Sequence, residues 1–286
     1  MKISKVIRSS MYNNANSKGS NKGANSDSYI DKLYKIYGEF LEILYPQNIN
    51  CILCNRPIKK SNSYSMCKSC FDELNFILNG CGKCGKFKIN YSLEKEFIDE
   101  CNFCHSKTFY FEKAISCIEY NDISKRLILG LKYSSKTYMC KYIAQIMKEK
   151  LDIENIKFDY LTYVPLHKKR LKKRGFNQSE KIAKYLVKLI DVPLIDLVVR
   201  YKYTEMLYKL KRDERSKELK NAFKINEEIN IGNVEDKVVL LLDDVFTTGS
   251  TVNEISKVLK LAGVGKVYVI TLLTKSSEKY IKDDAL

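Results

Sequence analysis

The sequence predicts an α/β domain with a parallel sheet, preceded by a small zinc-ribbon domain with four-cysteine metal sites. Three observations support this fold class. Apolar strands alternate with amphipathic helices over the second half of the chain. Eight of the ten cysteines form C-x-x-C pairs within residues 51–104, and that segment has no long apolar run of its own. Alternating strands and helices are typical of a parallel sheet covered by helices.

The elements of the α/β domain follow from hydrophobic periodicity. The predicted strands cover residues 111–120, 158–166, 238–245 and 266–275, and the predicted helices cover residues 138–151, 177–190 and 251–263. Asn177 followed by Glu180 fits a capping box in which Asn replaces the usual Ser or Thr. Gly263 stops the last helix. The strands and helices therefore alternate as a doubly covered sheet requires.

The N-terminal part of the chain is predicted to contain three segments of different character. Residues 1–28 are rich in Ser, Asn, Gly and Lys, and this composition predicts a disordered tail. Apolar residues at helical spacing over 30–44 predict an amphipathic helix that ends at Pro46. We expect this helix and the cysteine pairs to form one domain, residues 29–110, followed by the α/β domain, residues 111–286.

The start of the chain lacks the apolar core of a secretory signal, and no apolar run reaches the roughly 18–20 residues of a membrane span. We therefore expect no membrane span and a cytoplasmic protein. The formal net charge is +16. This charge favours anionic partners such as nucleic acid, phosphorylated metabolites or an acidic membrane surface, although compositional drift explains it equally well. The oligomeric state is left open by the sequence.

The cysteine pairs predict two structural zinc sites. Two C-x-x-C knuckles supply the four tetrahedral ligands that a closed zinc site requires, and we expect sequential pairing. A crossed pairing stays open, as do disulfides and a site in which His105 replaces a cysteine. The predicted ligands are Cys51, Cys54, Cys67, Cys70, Cys81, Cys84, Cys101 and Cys104. Cys117 and Cys140 stand alone in apolar patterns and are expected to be buried.

The stretch VVLLLDDVFTTGST, residues 238–251, is the strongest candidate for a ligand site. A buried strand that ends at the carboxyl edge of a parallel sheet would bring Asp243 and Asp244 to the place where such sheets bind ligands. The turn that follows offers hydroxyls, free N–H groups and the start of a helix, which suit a phosphate. Paired carboxylates beside a phosphate cradle predict a ribose 5-phosphate ligand. A Walker B interpretation is disfavoured because no G-x-x-x-x-G-K-[ST] precedes the stretch.

These residues resemble the phosphoribosyl-diphosphate (PRPP) signature of type I phosphoribosyltransferases. The segment VPLHKKRLKKRGFNQSEKIA, residues 164–183, is similar to the corresponding segment of the ComF family of competence proteins. So are residues 123–133 and 210–223 and the cysteine knuckles, so that the resemblance spans roughly residues 30–275. Family members often carry glutamine where Leu207 stands and asparagine where Glu218 stands. Both departures lie in the expected flexible loop.

The resemblance implies a phosphoribosyltransferase-like domain that binds PRPP with Mg²⁺, and pentosyl transfer if it is active. Asp243 and Asp244 would hold the ribose hydroxyls. Backbone around 164–166 would line the pyrophosphate site, with charge from Lys132, Arg212 or Arg215; for Lys132 a solvated side chain is favoured. The residues expected to bind the phosphate or PRPP are Val245, Phe246, Thr247, Thr248, Gly249, Ser250, Thr251, Arg170 and Arg174. No base that could activate an acceptor is evident, and His167 is interpreted as a surface residue.

A second interpretation is a non-catalytic accessory that binds single-stranded DNA. Residues 168–174 carry six cationic side chains in seven positions, next to Phe176. Basic groups for phosphates and aromatic rings for bases suit single strands. The family resemblance implies a role in DNA uptake during natural transformation, beside a helicase partner. The same cluster could instead serve the pyrophosphate site, so the two interpretations stay open together.

Overall fold

The computed structural model describes residues 49–87, 101, 103–104, 107–134, 136–204, 217–229 and 231–275. The predicted tail and N-terminal helix lie outside these residues, and so do His105, Leu207, Arg212 and Arg215. The chain divides into two compact units, residues 1–73 and 74–286. The first unit contains the first two cysteine pairs, and the second contains the other two pairs together with the sheet. The domain boundary expected at residues 110 and 111 stays a prediction.

The first unit contains a zinc-ribbon knuckle, a 3₁₀ turn at Ser63–Ser65 and the short helix α1, Lys68–Asp72. In the knuckle, the Cys51 N–H donates to the Arg56 carbonyl and the Asn55 N–H donates back to the Cys51 carbonyl, both at 2.8 Å. Asn55 closes this turn with φ of 60°. The chain thereby reverses within five residues and holds two cysteines side by side.

The second unit repeats this knuckle and then builds the α/β sheet. Its strands are β1 Lys113–Glu119, β2 Tyr160–Tyr163, β3 Val198–Arg200, β4 Phe223–Ile225, β5 Val238–Phe246 and β6 Lys266–Thr274. Its helices are α2 Lys125–Ser134, α3 Met139–Glu154, α4 Lys168–Arg174, α5 Gln178–Leu186 and α6 Ser250–Leu261.

Four strands form a parallel sheet in the order β1-β6-β5-β2. Strands β3 and β4 pair separately and antiparallel. The apolar run of β5 lies between two neighbours: Leu242 is opposite Tyr163 of β2 on one side and Ile270 of β6 on the other. A strand that is paired on both edges and covered on both faces is apolar throughout, which is why β5 is the most hydrophobic strand in the sequence.

Helices cover both faces of this sheet. Val239 and Leu241 of β5 lie in one buried cluster with Val252 and Ile255 of α6. Because successive side chains of a strand alternate, Leu240 and Leu242 face the opposite side. On that side α5 contacts β2 and β5, while α3 contacts α5, β1 and β6. The loops that connect the strands of this sheet to the helices on its two faces therefore form the site.

The segment that leads into the second ribbon covers the outer edge of β1. The Ile77 N–H donates to the Cys117 carbonyl at 2.9 Å, and the Ala114 N–H donates to the Lys83 carbonyl at 2.9 Å. Gly85 is in the left-handed region with φ of 68°, and a Cβ there would lie 2.4 Å from the Ala114 carbonyl oxygen. This glycine thus allows the ribbon to approach the edge strand directly. In the first knuckle, Asn55 occupies the equivalent position with a positive φ.

The parallel sheet predicted from the alternation of strands and helices is confirmed, and each predicted strand and helix of the sheet region is present. Three features differ from the prediction. Strand β5 runs through both aspartates to Phe246, one residue beyond its predicted end, because β6 pairs with it as far as Thr274. The basic segment 168–174, where no helix was predicted, is the helix α4, and α5 is shorter than predicted. Helix α2 and the β3–β4 pair were not predicted.

Within the described ranges, the structure contains no helix that combines the length and apolar character needed to cross a bilayer.

Candidate functional site

The site begins where the ladder between β2 and β5 stops. The Val164 N–H still donates to the Leu242 carbonyl at 3.0 Å. One step further, the Val164 carbonyl instead accepts from the Asn177 side-chain amide at 3.0 Å, and the Asp244 N–H donates to the Asp243 carboxylate at 2.8 Å. Side chains thus satisfy the backbone groups that a continued ladder would have used. The two strands therefore separate at Asp243 without leaving these groups unpaired.

Asn177 connects this opening to helix α5. Its side-chain oxygen accepts from the Ser179 N–H at 3.0 Å, which makes it the N-cap of the helix. The predicted cap is thus present, but Glu180, the expected second half of the box, pairs with Lys184 at 2.6 Å. Ser179 also places its hydroxyl 3.4 Å from the Asp243 carboxylate. The start of α5 is thereby fixed against the ends of β2 and β5.

Asp244 is the centre of a chain of polar side chains. Its carboxylate lies 2.6 Å from the ammonium of Lys132 in α2 and accepts from the Gln178 amide at 3.0 Å. The Gln178 oxygen in turn accepts from Arg174 at 2.8 Å. The Asp244 side chain is 9% exposed and that of Lys132 is 23% exposed. The structure therefore gives Lys132 an ion-pair partner, in contrast to the solvated side chain favoured from the sequence.

The pKa values of the two neighbouring carboxyl groups are shifted in opposite directions. Burial raises the pKa of Asp243 to about 8, and the negative charge of Asp244 acts in the same direction. Burial also acts to raise the pKa of Asp244, but Lys132, with smaller contributions from Gln178 and Arg174, outweighs it and lowers that pKa. The pair is thus asymmetric: the pKa of Asp244 is lowered and that of Asp243 is raised.

The turn after β5 has the geometry of an anion cradle. Gly249 is in the left-handed region with φ of 77° and precedes the first residue of α6. A Cβ on Gly249 would lie 2.7 Å from the ring of Phe246. The Thr248 and Ser250 hydroxyls are 2.9 Å apart, and the Ser250 N–H points at the Thr248 hydroxyl at 3.4 Å. Amides and hydroxyls at the start of a helix favour a phosphate.

The predicted ligand contacts of this turn are not equivalent. Phe246 is 1% exposed and packs edge-on against Phe103 and Phe111 at ring-centroid distances of 6.3 Å. Its carbonyl accepts from the Thr274 hydroxyl at 3.2 Å. Phe246 therefore belongs to the core beneath the turn. The half-exposed members of the predicted set are Val245, Thr247, Ser250 and Thr251, while Thr248 and Gly249 are buried.

The basic helix α4 divides into an inner and an outer set. Arg170 donates to the Thr204 carbonyl at 2.9 Å, and Arg174 donates to Gln178, the partner of Asp244. The four lysines of the helix, Lys168, Lys169, Lys172 and Lys173, are exposed. His167 caps the helix, since its Nδ1 accepts from the Lys169 N–H at 3.2 Å. The arginines thus face the site and the lysines face solvent.

Sequence reasoning missed Arg200, at the end of β3. Burial lowers the pKa of this guanidinium to about 10, Arg170 acts in the same direction, and Asp243 opposes it. Arg200 hydrogen-bonds the Thr204 hydroxyl, and its Nε has no hydrogen-bond partner among the described residues. Two arginines therefore hold Thr204 near the aspartates. A lone arginine in a three-residue strand carries no spacing signal that could have indicated this role.

The cysteines form two separate clusters with sequential pairing, as expected. In each cluster the four sulfurs lie within 4.8 Å of one another, and the members are Cys51, Cys54, Cys67 and Cys70, and Cys81, Cys84, Cys101 and Cys104. The closest Sγ–Sγ distances lie between 3.4 and 3.7 Å. Tetrahedral Zn–S bonds of about 2.3 Å place sulfurs roughly 3.8 Å apart. None of the ten cysteines, all of which lie in the described part of the chain, forms a disulfide. Both clusters therefore fit structural zinc.

A groove of about 550 Å³ lies beside α4 and α5, away from the aspartates. Phe176 and Tyr185 line it, and the Lys181 ammonium lies 5.1 Å from the Phe176 ring centroid. Lys188 lies 5.5 Å from the Tyr185 ring centroid. The groove thus alternates aromatic faces with cations.

The Lys132–Asp244 pair predicts a specific stability effect. Replacing Lys132 by methionine would leave the Asp244 carboxylate buried with one neutral partner, which lowers the free energy of unfolding by roughly 3 kcal/mol. Lys148→Met is the matched control, because Lys148 pairs with Asp152 on the surface of α3 and should change stability by less than about 1 kcal/mol. Urea denaturation measures both. Equal, small effects of the two substitutions would contradict the central role of this ion pair.

Two family models match the chain. The model of the phosphoribosyl transferase domain matches residues 171–285, and the model of the double zinc ribbon domain matches residues 40–106. The first range contains α5, β5, the aspartates and the TTGST turn. The second contains both cysteine clusters.

Curated relatives match along most of their own length. Competence protein F of Haemophilus influenzae is 28% identical over 226 residues, which cover 76% of this chain and 88% of that protein. The DNA utilization protein YhgH of Salmonella typhimurium is 26% identical, over 77% of this chain and 94% of that protein. Competence protein ComFC of Streptococcus pneumoniae is 25% identical, over 79% and 100%.

The fold class is therefore that of a parallel-sheet, phosphoribosyltransferase-like domain with an N-terminal double zinc ribbon. The resemblance to the ComF family is confirmed, since the chain is similar to competence protein F, ComFC and YhgH.

Proposed function

We propose that the chain binds a phosphoribosyl ligand, PRPP with Mg²⁺, at the end of β5. The observation that carries this proposal is the opening between β2 and β5, which sets an asymmetric pair of carboxyl groups directly before the TTGST turn. The carboxyl groups are complementary to a diol or its magnesium shell. The turn, a few residues further along the chain, is complementary to a phosphate. The match to the phosphoribosyl transferase domain supports the same ligand class.

The geometry suggests different roles for the two aspartates. Asp244 is occupied by Lys132 and Gln178, so its task is to fix the site. Asp243 is more exposed and is the group proposed to accept hydrogen bonds from the ribose hydroxyls, directly or through Mg²⁺-bound water. The N–H groups and hydroxyls of residues 247–251 would bind the 5-phosphate. Arg170, Arg174 and Arg200 supply positive charge for the pyrophosphate.

Pentosyl transfer needs an acceptor that attacks the anomeric carbon as pyrophosphate leaves. The protein's contribution to such a step would be to position the sugar and to stabilise the departing charge. His167 is engaged as the cap of α4 and as an edge-to-face neighbour of Tyr203, at 5.2 Å between ring centroids. It is therefore a poor candidate for a general base. The proposal is accordingly one of binding, with transfer as a separate question.

Calorimetry with Mg²⁺-PRPP tests the binding proposal. Above the raised Asp243 pKa of about 8, where this carboxyl group is ionised, Asp243→Asn should weaken binding by about 10- to 100-fold, because a hydrogen bond to a charged group is worth roughly 1.5–3 kcal/mol. Asp152→Asn, the same change on the exposed face of α3, is the control and should leave affinity unchanged. Asp244→Asn is less informative because it also unpairs Lys132. The absence of heat with the parent protein would rule out the ligand.

A second candidate function is binding of single-stranded DNA, and the aromatic and basic surface beside α4 and α5 favours it. Cations lie against the rings of Phe176, Tyr185 and Tyr203, the last approached by Lys169 at 5.3 Å. Bases stack on such rings while lysines contact the phosphates. The names of the curated relatives refer to competence and to DNA utilization. A role in DNA uptake, with a helicase partner, follows as a proposal from this similarity.

Fluorescence anisotropy with a labelled oligothymidylate tests this surface. Changing the four exposed lysines of α4 to alanine should weaken binding and reduce the salt dependence of log K by about 0.7 for each phosphate that is no longer neutralised. A control set of four exposed lysines on other elements should have little effect; it comprises Lys220, Lys224, Lys237 and Lys266. An equal decrease in affinity for the two sets would show that net charge, and not this surface, drives binding.

A further inference from the structure

The floor under the TTGST turn is made by Phe246 of β5, which packs on aromatic residues of the second zinc ribbon and of the segment that follows it. Gly249 rests on the Phe246 ring, and a Cβ on Gly249 would also lie 3.4 Å from Phe109. The Phe246 ring packs edge-on against Phe103, which lies in sequence between the zinc ligands Cys101 and Cys104. Phe246 thus contacts both the turn and a ring that lies in sequence between two cysteines of the second cluster.

Lys86 connects this layer to the end of the sheet. It is fully buried, and its ammonium lies 4.4 Å from the Phe103 ring centroid and 5.6 Å from that of Phe246. The ammonium donates to the Lys275 carbonyl, just after β6, at 2.6 Å. The Lys86 carbonyl accepts from the Cys81 N–H at 2.8 Å. Lys86 therefore touches the knuckle, both rings and the strand that pairs with β5.

Charge gives Lys86 a second link to the metal. Four thiolates around Zn²⁺ carry a net charge of about −2, and a buried charge needs a compensating partner. Lys86 is two residues beyond Cys84, and its fully buried ammonium packs against Phe103, which lies in sequence between two cysteines of this cluster. A bound zinc ion and the Lys86 ammonium would therefore stabilise each other. Loss of the metal would remove the counter-charge of a lysine that braces Phe246.

The chain just after the ribbon also holds the first turn of α6. The Tyr110 N–H donates to the Asn253 side-chain oxygen at 2.7 Å, and the Asn253 amide lies 3.5 Å from the Thr108 carbonyl. The Asn253 N–H donates to the Gly249 carbonyl at 2.8 Å. One residue of the helix therefore joins the turn to the segment that follows the zinc ligands.

We infer that the second zinc site and the TTGST turn are energetically coupled through Phe103, Phe246 and the positioning residue Lys86, so that zinc and the phosphoribosyl ligand strengthen each other's binding. This inference rests on the proposed function. The coupling is reciprocal by thermodynamic linkage: a metal that orders the turn raises ligand affinity by the factor by which the ligand raises metal affinity. The first zinc site belongs to the other compact unit and serves as an internal control.

Competition for zinc with a chromophoric chelator tests the coupling on the full-length chain. Cys51→Ser with Cys54→Ser leaves the second site to be titrated, and Cys81→Ser with Cys84→Ser leaves the first. Mg²⁺-PRPP should make the second site retain zinc about 5- to 10-fold more tightly than Mg²⁺ alone does. The first site should show no change. Binding of PRPP by calorimetry, with zinc affinity unchanged at the second site, overturns the coupling alone. Absence of PRPP binding in the parent overturns the proposed function, and the coupling with it.

Lys86→Met separates positioning from general stabilisation. If Lys86 is a positioning residue, this variant retains zinc at the second site but loses the ligand-dependent increase in zinc affinity, which should fall below about 2-fold. A residue that only stabilises the fold would lower zinc affinity equally with and without ligand and leave the shift intact, which would contradict the role given to Lys86. Phe103→Leu keeps an apolar side chain and tests the same path if Lys86→Met does not fold. A full ligand-dependent shift in that variant would overturn the proposed path.

Discussion

The separation of β2 from β5 at Asp243 is the constraint on which the rest of the site depends. A parallel ladder would continue past Leu242 unless other groups took over its hydrogen bonds, since unpaired backbone groups in a buried sheet are costly. The Asn177 amide and the Asp243 carboxylate take them over. Asn177 also caps α5, and Asp243 is the first carboxyl group of the site. The opening and the functional groups are therefore products of the same few side chains.

Electrostatics then sets the charges at this opening. Lys132 and Gln178 stabilise the charge of Asp244, whereas the pKa of Asp243 is raised. Arginines from α4 and β3 lie on the same side, so the site combines a fixed negative centre with nearby positive charge. A ligand with a diol or bound Mg²⁺ at one end and phosphate groups at the other matches both features.

Much of this architecture could be predicted from the sequence, and the exceptions have physical causes. The apolar run of β5 and the spacing of the cysteines are local patterns, so the sheet and the sequential pairing of the two clusters followed directly. Lys132 and Arg200 come from elements far apart along the chain, and only the fold brings them to the aspartates. The extent of β5 depended on its pairing with β6. Phe246, predicted as a ligand contact from its place in the motif, is held in the core by aromatic rings from the second ribbon and the segment after it.

A crystal structure of the protein with Mg²⁺-PRPP tests the central claim most directly. The account predicts the 5-phosphate against the backbone N–H groups and hydroxyls of residues 247–251, with the ribose hydroxyls or a magnesium-bound water within hydrogen-bonding distance of Asp243. Ligand density found only against the exposed lysines of α4, with solvent at the end of β5, would contradict it.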